Sequence, residues 1–197
     1  MGNSSLNPEK MHSLEFISYY MFNNKMTLGL SVYKNLIDNK LIKDTIANSD
    51  RWINKNELNT YGIEVYSNCS INMFQLYTNY TYSNSYEQDG IFIPEISMHT
   101  ANIGVTYSLN SNMKINLRTN YLGQRKNPKL IPSTGNDIID DVFLLHGSVS
   151  YFDYKNFDFQ LKINNILNQK YYHPSNRFAG RYRQPQRTIT VKVSFNF

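Results

Sequence analysis

The chain has 197 residues, 41% of them hydrophobic and 14% aromatic, with 16 tyrosines and a formal charge of +5. Surplus Tyr, Asn, Ser and Thr in place of Ala, Leu, Glu and Lys excludes a helical protein and indicates an all-β class. Lys and Arg are scattered rather than gathered in a stripe, which argues against nucleic acid. No window reaches the roughly 18 apolar residues of a spanning helix, so any membrane span has to be made of strands.

Met1 to Ser5 has neither the charged region nor the apolar core of a signal peptide. Residues 1–11 are expected to be the remnant of a loop, ahead of a strand unit over 12–197. Leu14, Phe16, Ser18 and Tyr20 begin the alternation, and Asn23-Asn24-Lys25 turns it into Met26, Leu28, Leu30 and Val32. After a long polar stretch from Ile37 to Glu57, Tyr61, Ile63 and Val65 lead to a turn near Cys69 to Asn72. Phe74, Leu76, Thr78, Tyr80 and Tyr82 follow. Cys69 is the single cysteine, which excludes an internal disulfide or a multi-cysteine metal site.

A second long stretch, Asn84 to Ser97, precedes Ala101, Ile103, Val105 and Tyr107. A turn at Leu109 to Asn112 then opens Met113, Ile115, Leu117, Thr119 and Tyr121. Gly123 to Asp140 is the third long stretch. Phe143, Leu145, Gly147, Val149 and Tyr151 pair through Asp153 to Asn156 with Phe157, Phe159, Leu161 and Ile163. The fourth, Leu167 to Gln186, leads to Ile189, Val191, Val193, Phe195 and Phe197.

The pattern is an antiparallel up-and-down meander of about nine strands, each about as long as a tilted membrane-crossing strand. Its connections alternate between tight turns and long loops, so the two kinds lie at opposite ends of the sheet. Outer-membrane barrels share this asymmetry, with short periplasmic turns and long extracellular loops. Tyr19, Tyr20, Tyr82, Tyr107, Tyr121 and Tyr151, near strand ends, fit aromatic girdles at the two membrane interfaces.

Sites of chemistry are sparse. His12, His99, His146 and His173 are far apart and accompany no nucleophile or ligand pattern. Asp137, Asp140 and Asp141 lack calcium-loop spacing. Asn68-Cys69-Ser70 and Asn79-Tyr80-Thr81 match a glycosylation pattern but fall in or beside strands. Nothing suggests an enzyme or a bound cofactor. Arg177, Arg181, Arg183 and Arg187 surround the last loop, where guanidinium forks suit an anionic ligand or lipopolysaccharide phosphates, and His173 stands beside them.

Three segments resemble the C-terminal barrel of TonB-dependent outer-membrane receptors. They are Leu6-Asn7-Pro8-Glu9-Lys10 with Glu15 beyond it, Asn164-Asn165-Ile166-Leu167-Asn168-Gln169-Lys170-Tyr171, and Gly180-Arg181 with the closing strand to Phe197. The resemblance implies a barrel of about 22 strands with a plugged lumen, active uptake of a scarce ligand (siderophore-iron, a corrinoid, heme or a glycan) and TonB coupling through the plug. It also implies that Ile189, Val191, Val193, Phe195 and Phe197 form the stripe read by the barrel assembly machinery. About nine strands with two open edges make a partial barrel, expected not to transport alone. A passive porin, with Lys114, Arg118, Lys162 and Lys192 lining its lumen, and a soluble ligand-binding β-barrel are the alternatives.

Overall fold

The computed structural model of the chain describes residues 3–23, 25–46, 49–55, 57–87, 93–175 and 180–197, without the side chains of residues 43–50. Among the described residues fifteen strands follow one another: β1 (Lys10–Phe22), β2 (Met26–Asp38), β3 (Leu41–Ile46), β4 (Ser49–Asn54), β5 (Leu58–Ile71), β6 (Phe74–Glu87), β7 (His99–Ser108) and β8 (Met113–Leu122) come first. Then come β9 (Arg125–Ile131), β10 (Asn136–Ile139), β11 (Val142–Tyr154), β12 (Phe157–Asn164), β13 (Tyr172–Pro174), β14 (Arg181–Arg183) and β15 (Thr188–Phe195).

Nine of them form one antiparallel sheet in the order β1-β2-β5-β6-β7-β8-β11-β12-β15, the expected meander. The remaining six make three hairpins, β3–β4, β9–β10 and β13–β14, inside connections that the sequence pattern had left as loops. Among the described residues β1 pairs only with β2 and β15 only with β12, so the sheet is open along both edges.

The tight turns cluster at one end. Asn23, Asn72, Lys155 and Asn156 all adopt positive φ there, a conformation Asn tolerates better than most side chains. In the β7–β8 turn the Asn110 side-chain oxygen accepts from the backbone N–H groups of Asn112 (2.9 Å) and Met113 (2.8 Å). One boundary differs from expectation: β5 continues through Cys69 to Ile71, and the turn to β6 is only Asn72-Met73.

Register fixes the chemistry of each face. Across the sheet, Leu30 lies opposite Val65, which lies opposite Tyr80 and then Ala101 and Tyr121. Further along, Leu117 meets Gly147, Ile163 and Ile189 in succession. A slip of one residue anywhere would break this continuity, because side chains alternate with period 2. The result is one apolar face running over all nine strands, with Leu14 77% and Val191 69% exposed. So large an apolar surface is covered by lipid.

Aromatic rings border that face at both ends. Beside the tight turns, Phe74 stacks on Tyr107 at 4.8 Å, and Phe195 lies 4.8 Å from Phe157 and 5.2 Å from Phe197. Beside the long loops, Tyr82 lies 6.3 Å from Tyr61 and 5.2 Å from His99. Tyr20, Tyr82, Tyr107, Tyr121 and Tyr151 share the apolar parity. Tyr19 does not: it pairs with Gly29 on the other face and packs 5.9 Å from Tyr66.

The opposite face is polar and knit by side-chain bonds between strands. Asn102 donates to Asn79 at 2.6 Å and accepts from Asn120, while Ser31 donates to Glu15 at 2.7 Å. Tyr66 and Tyr77 on this face lie flat over Gly29 and Gly104, their direct partners across the ladder. A Cβ at Gly104 would fall inside the Tyr77 ring. Gly104→Val is therefore expected to cost about 1–3 kcal/mol of barrel stability by overpacking. Tyr77→Ala in the same chain should recover part of it; the urea midpoint of the heat-modifiable form reads both.

Candidate functional site

A single-layer sheet has almost no interior, and the buried apolar residues gather in one place. Ile131, Ile139, Val142 and Leu144 are the buried hydrophobic side chains among the described residues, all between β9 and β11 at the long-loop end. The β9–β10 hairpin folds there because Pro132-Ser133-Thr134-Gly135 supplies a turn, with Gly135 at φ 69° and its N–H bonded to Ile131 O at 2.9 Å.

Asn127 joins this hairpin to the last loop. Its side chain is buried, its Oδ1 accepts from Ser175 N at 2.7 Å, and its Nδ2 donates to Lys129 O at 2.6 Å and to Gly180 O at 3.0 Å. One amide thus holds both ends of the loop between β13 and β14 against β9.

Arg125, two residues earlier on the same side of β9, is only 5% exposed. It donates from Nη1 to His173 Nδ1 at 3.3 Å and from Nη2 to Asp140 O at 3.5 Å. Its Nε is sealed from solvent without an acceptor. Burial pulls the Arg125 pKa below its ordinary value. Burial first, and the Arg125 charge second, hold His173 below the usual histidine range, so its ring meets Arg125 as a neutral acceptor.

Beside Arg125 lies a cavity of about 200 Å³, between the outer end of β6 and the hairpin. Its walls carry Ser83, Ser85, Ile93, Ile96, Met98 and Ile138, with Arg125 and Lys126 on the hairpin side. The loop entering β7 is fixed by Glu95 N–H to Lys126 O (2.8 Å) and Ser83 N–H to Met98 O (2.9 Å). A separate groove on the polar face runs past Arg118, His146 and Lys162, with Arg118 directly opposite His146.

The sequence-derived candidates of the last loop do not converge. His173 reaches Arg125, as above. Arg181 stacks over the Tyr172 ring at 3.8 Å, and Arg183 donates to Gln186 Oε1 at 2.6 Å. In the β13–β14 register Arg181 and Arg183 flank Tyr182, the partner of His173, so they alternate away from the His173 side. Arg187 ties down the loop base through Ile166 O at 2.6 Å. Arg177 lies outside the described residues. Arg125 and Asn127 escaped sequence reasoning; the flanking Leu130-Ile131 and Ile138-Ile139 around a Pro-Ser-Thr-Gly turn were the signal for their hairpin.

A lipid-facing apolar face, two aromatic borders, a polar inner face and loops at one end together define a wall of a bacterial outer-membrane β-barrel. A family model described as TonB dependent receptor-like, beta-barrel, matches residues 1–166. The chain belongs to this family of TonB-dependent receptor-like β-barrels.

Solved structures share the fold at low identity. The ferric-catecholate import receptor Fiu from K12 E. coli superposes with a TM-score of 0.81 at 16% identity, over 99% of this chain and 29% of that one. The ferripyoverdine receptor of Pseudomonas aeruginosa gives 0.80 at 13%, covering 98% and 28%. The copper transporter OprC gives 0.82 at 18%, covering 98% and 31%. The chain therefore spans about a third of the length of these receptors.

Proposed function

We propose that the chain is a nine-strand arc of the barrel wall of an active-uptake receptor, whose polar face lines the passage and whose loop cluster forms part of the ligand mouth. The observation that carries this reading is the unbroken apolar parity across the sheet, ending at two edges that each keep one side unpaired. Hydrocarbon offers no partner for backbone N–H and C=O groups, so further strands of the same receptor close the wall. A plug coupled to TonB belongs to that remainder, and the arc alone does not transport.

In this reading the described part of residues 1–11 ahead of β1, residues 3–9, belongs to the mouth, while Lys10 and Met11 already pair in the wall. Asn3 donates to Trp52 O at 2.8 Å, and Glu9 accepts from Leu41 N at 2.6 Å, which anchors the segment on the β3–β4 hairpin. Arg181 and Arg183 face lipopolysaccharide or ligand at the rim. Ile189, Val191, Val193, Phe195 and Phe197 form the lipid stripe of β15, the strand offered to the assembly machinery. The family is one of transport receptors, and the role proposed for this chain is transport rather than catalysis.

The ligand is a scarce metal chelate, corrinoid, heme or glycan. Cells expressing the longest natural polypeptide that contains these residues are expected to accumulate one member of a panel of ferric siderophores, copper(II), cobalamin, heme and maltodextrins. That accumulation should vanish when TonB is deleted. Equal accumulation with and without TonB would mark a passive pore and end the receptor reading.

A further inference from the structure

We infer that the cavity between the outer end of β6 and the β9–β10 hairpin is a subsite for a carboxylate carried on an aromatic ring, with Arg125 and Lys126 as its cationic wall. The inference rests on the receptor reading for the origin of the ligand, although binding itself is independent of transport.

A guanidinium as deeply buried as that of Arg125 is ordinarily paired with a carboxylate, because removing the charge from water costs several kcal/mol. Here its partners are a neutral imidazole and one backbone carbonyl at the limit of hydrogen-bond length, and Nε has none. Among the described residues no Asp or Glu lines the cavity. Lys126, the second cation, has only a loose contact at 3.9 Å with Asp137, and both side chains are well exposed. Among the described residues the cavity wall thus carries two positive charges, and Asp137, 3.9 Å from Lys126, is the one carboxylate in contact with either.

The remaining walls choose the body of the ligand. Ile93, Ile96, Met98 and Ile138 are apolar, and Ile96 and Ile138 are 46% and 40% exposed, an open apolar surface beside a buried cation. A free inorganic anion would leave that surface wet, and a neutral hydrocarbon would leave Arg125 without an anionic partner. A cavity of about 150 Å³ holds benzene. The present one, at about 200 Å³, has room for a ring with one carboxylate. The hydroxyl of Ser85 is already engaged with Thr60 at 2.9 Å, which leaves Ser83 and Gln124 as neutral polar wall groups for the second carboxylate oxygen.

The test is equilibrium binding of benzoate, with benzamide as its uncharged isostere, to the longest natural polypeptide containing these residues, purified in detergent. Benzoate is expected to bind about tenfold more tightly than benzamide, the ratio one charge-assisted hydrogen bond supplies. Arg125→Met should abolish the preference. Because that variant also disturbs the Asp140 and His173 contacts, Ile138→Trp provides a second arm: it fills the cavity, leaves Arg125 in place and should abolish binding of both compounds. Heat-modifiable mobility verifies the barrel in each case. Absence of benzoate binding, equal affinity for the two compounds, a preference retained in Arg125→Met, or undiminished binding in Ile138→Trp would each overturn the subsite. TonB-dependent uptake without benzoate binding would sink the subsite alone, and benzoate binding without TonB-dependent uptake would sink the receptor reading alone.

Discussion

A Val65→Arg receptor is expected to lose about 2–4 kcal/mol of barrel stability, the cost of a cation on the lipid face near the bilayer midplane. Val65 stands in the middle of β5, between Leu30 and Tyr80, on the apolar face. One residue away along the strand, Glu64 lies opposite Thr81 on the polar face. Thr81→Arg places the same charge at nearly the same depth, beside that carboxylate, and should be neutral or stabilising by roughly 0.2–1 kcal/mol. Urea titration of both variants in lipid bilayers, followed by heat-modifiable mobility, separates them. Equal losses would mean that both faces meet the same medium, which no membrane barrel allows.

The other large effect concerns the mouth. Asn127→Ala removes the acceptor of Ser175 N–H and the donor to Gly180 O at one stroke, in a buried position. Breaking such a buried network costs about 1–3 kcal/mol for each polar group left without compensation. The barrel wall does not depend on Asn127, so its melting should stay unchanged while the β13–β14 loop opens. Hydrogen exchange at Tyr172, His173 and Ser175 should accelerate by about tenfold or more, because each 1.4 kcal/mol is a factor of ten in the opening equilibrium. Uniform acceleration over β5 to β8 as well would show that the loop cluster and the wall unfold as one unit.

The wall was legible in the sequence because its physics is one-dimensional. Each strand must alternate, and a register error of one residue would turn Leu117 or Val191 into the passage, so the pattern that reads as period 2 is also the pattern that folds. Even so, polarity misplaced Tyr19, an aromatic whose side chain faces inward over its partner strand. Cys69 looked like a turn residue because Asn68 and Ser70 flank it, yet it continues β5.

The mouth was far less legible. In β9 the buried positions are Arg125, Asn127 and Ile131, while Lys126, Pro128, Lys129 and Leu130 are exposed, so two of the three inward side chains are polar. Such a strand carries an apolar signal only at its Leu130-Ile131 end, and its geometry depends on partners some 50 residues away in the last loop, Arg125 with His173 and Asn127 with Gly180. The guanidiniums of the last loop attracted attention by composition. The cation with unfilled bonding capacity lay instead in a stretch that read as loop.

The outward face of the sheet also explains how relatives at 13–18% identity keep TM-scores of 0.80–0.82. In a water-soluble protein the apolar residues interlock with one another, and a change of shape at one obliges its neighbours to answer. Here they meet acyl chains, a fluid that reshapes itself around any branched or aromatic surface. Selection at Leu117, Ile103 or Val191 can therefore act on oiliness while remaining indifferent to form. Sequence on that face is expected to be free to drift, with the fold held by hydrogen-bonded register and by the few inward contacts, such as Tyr77 over Gly104, where one solid surface must fit another.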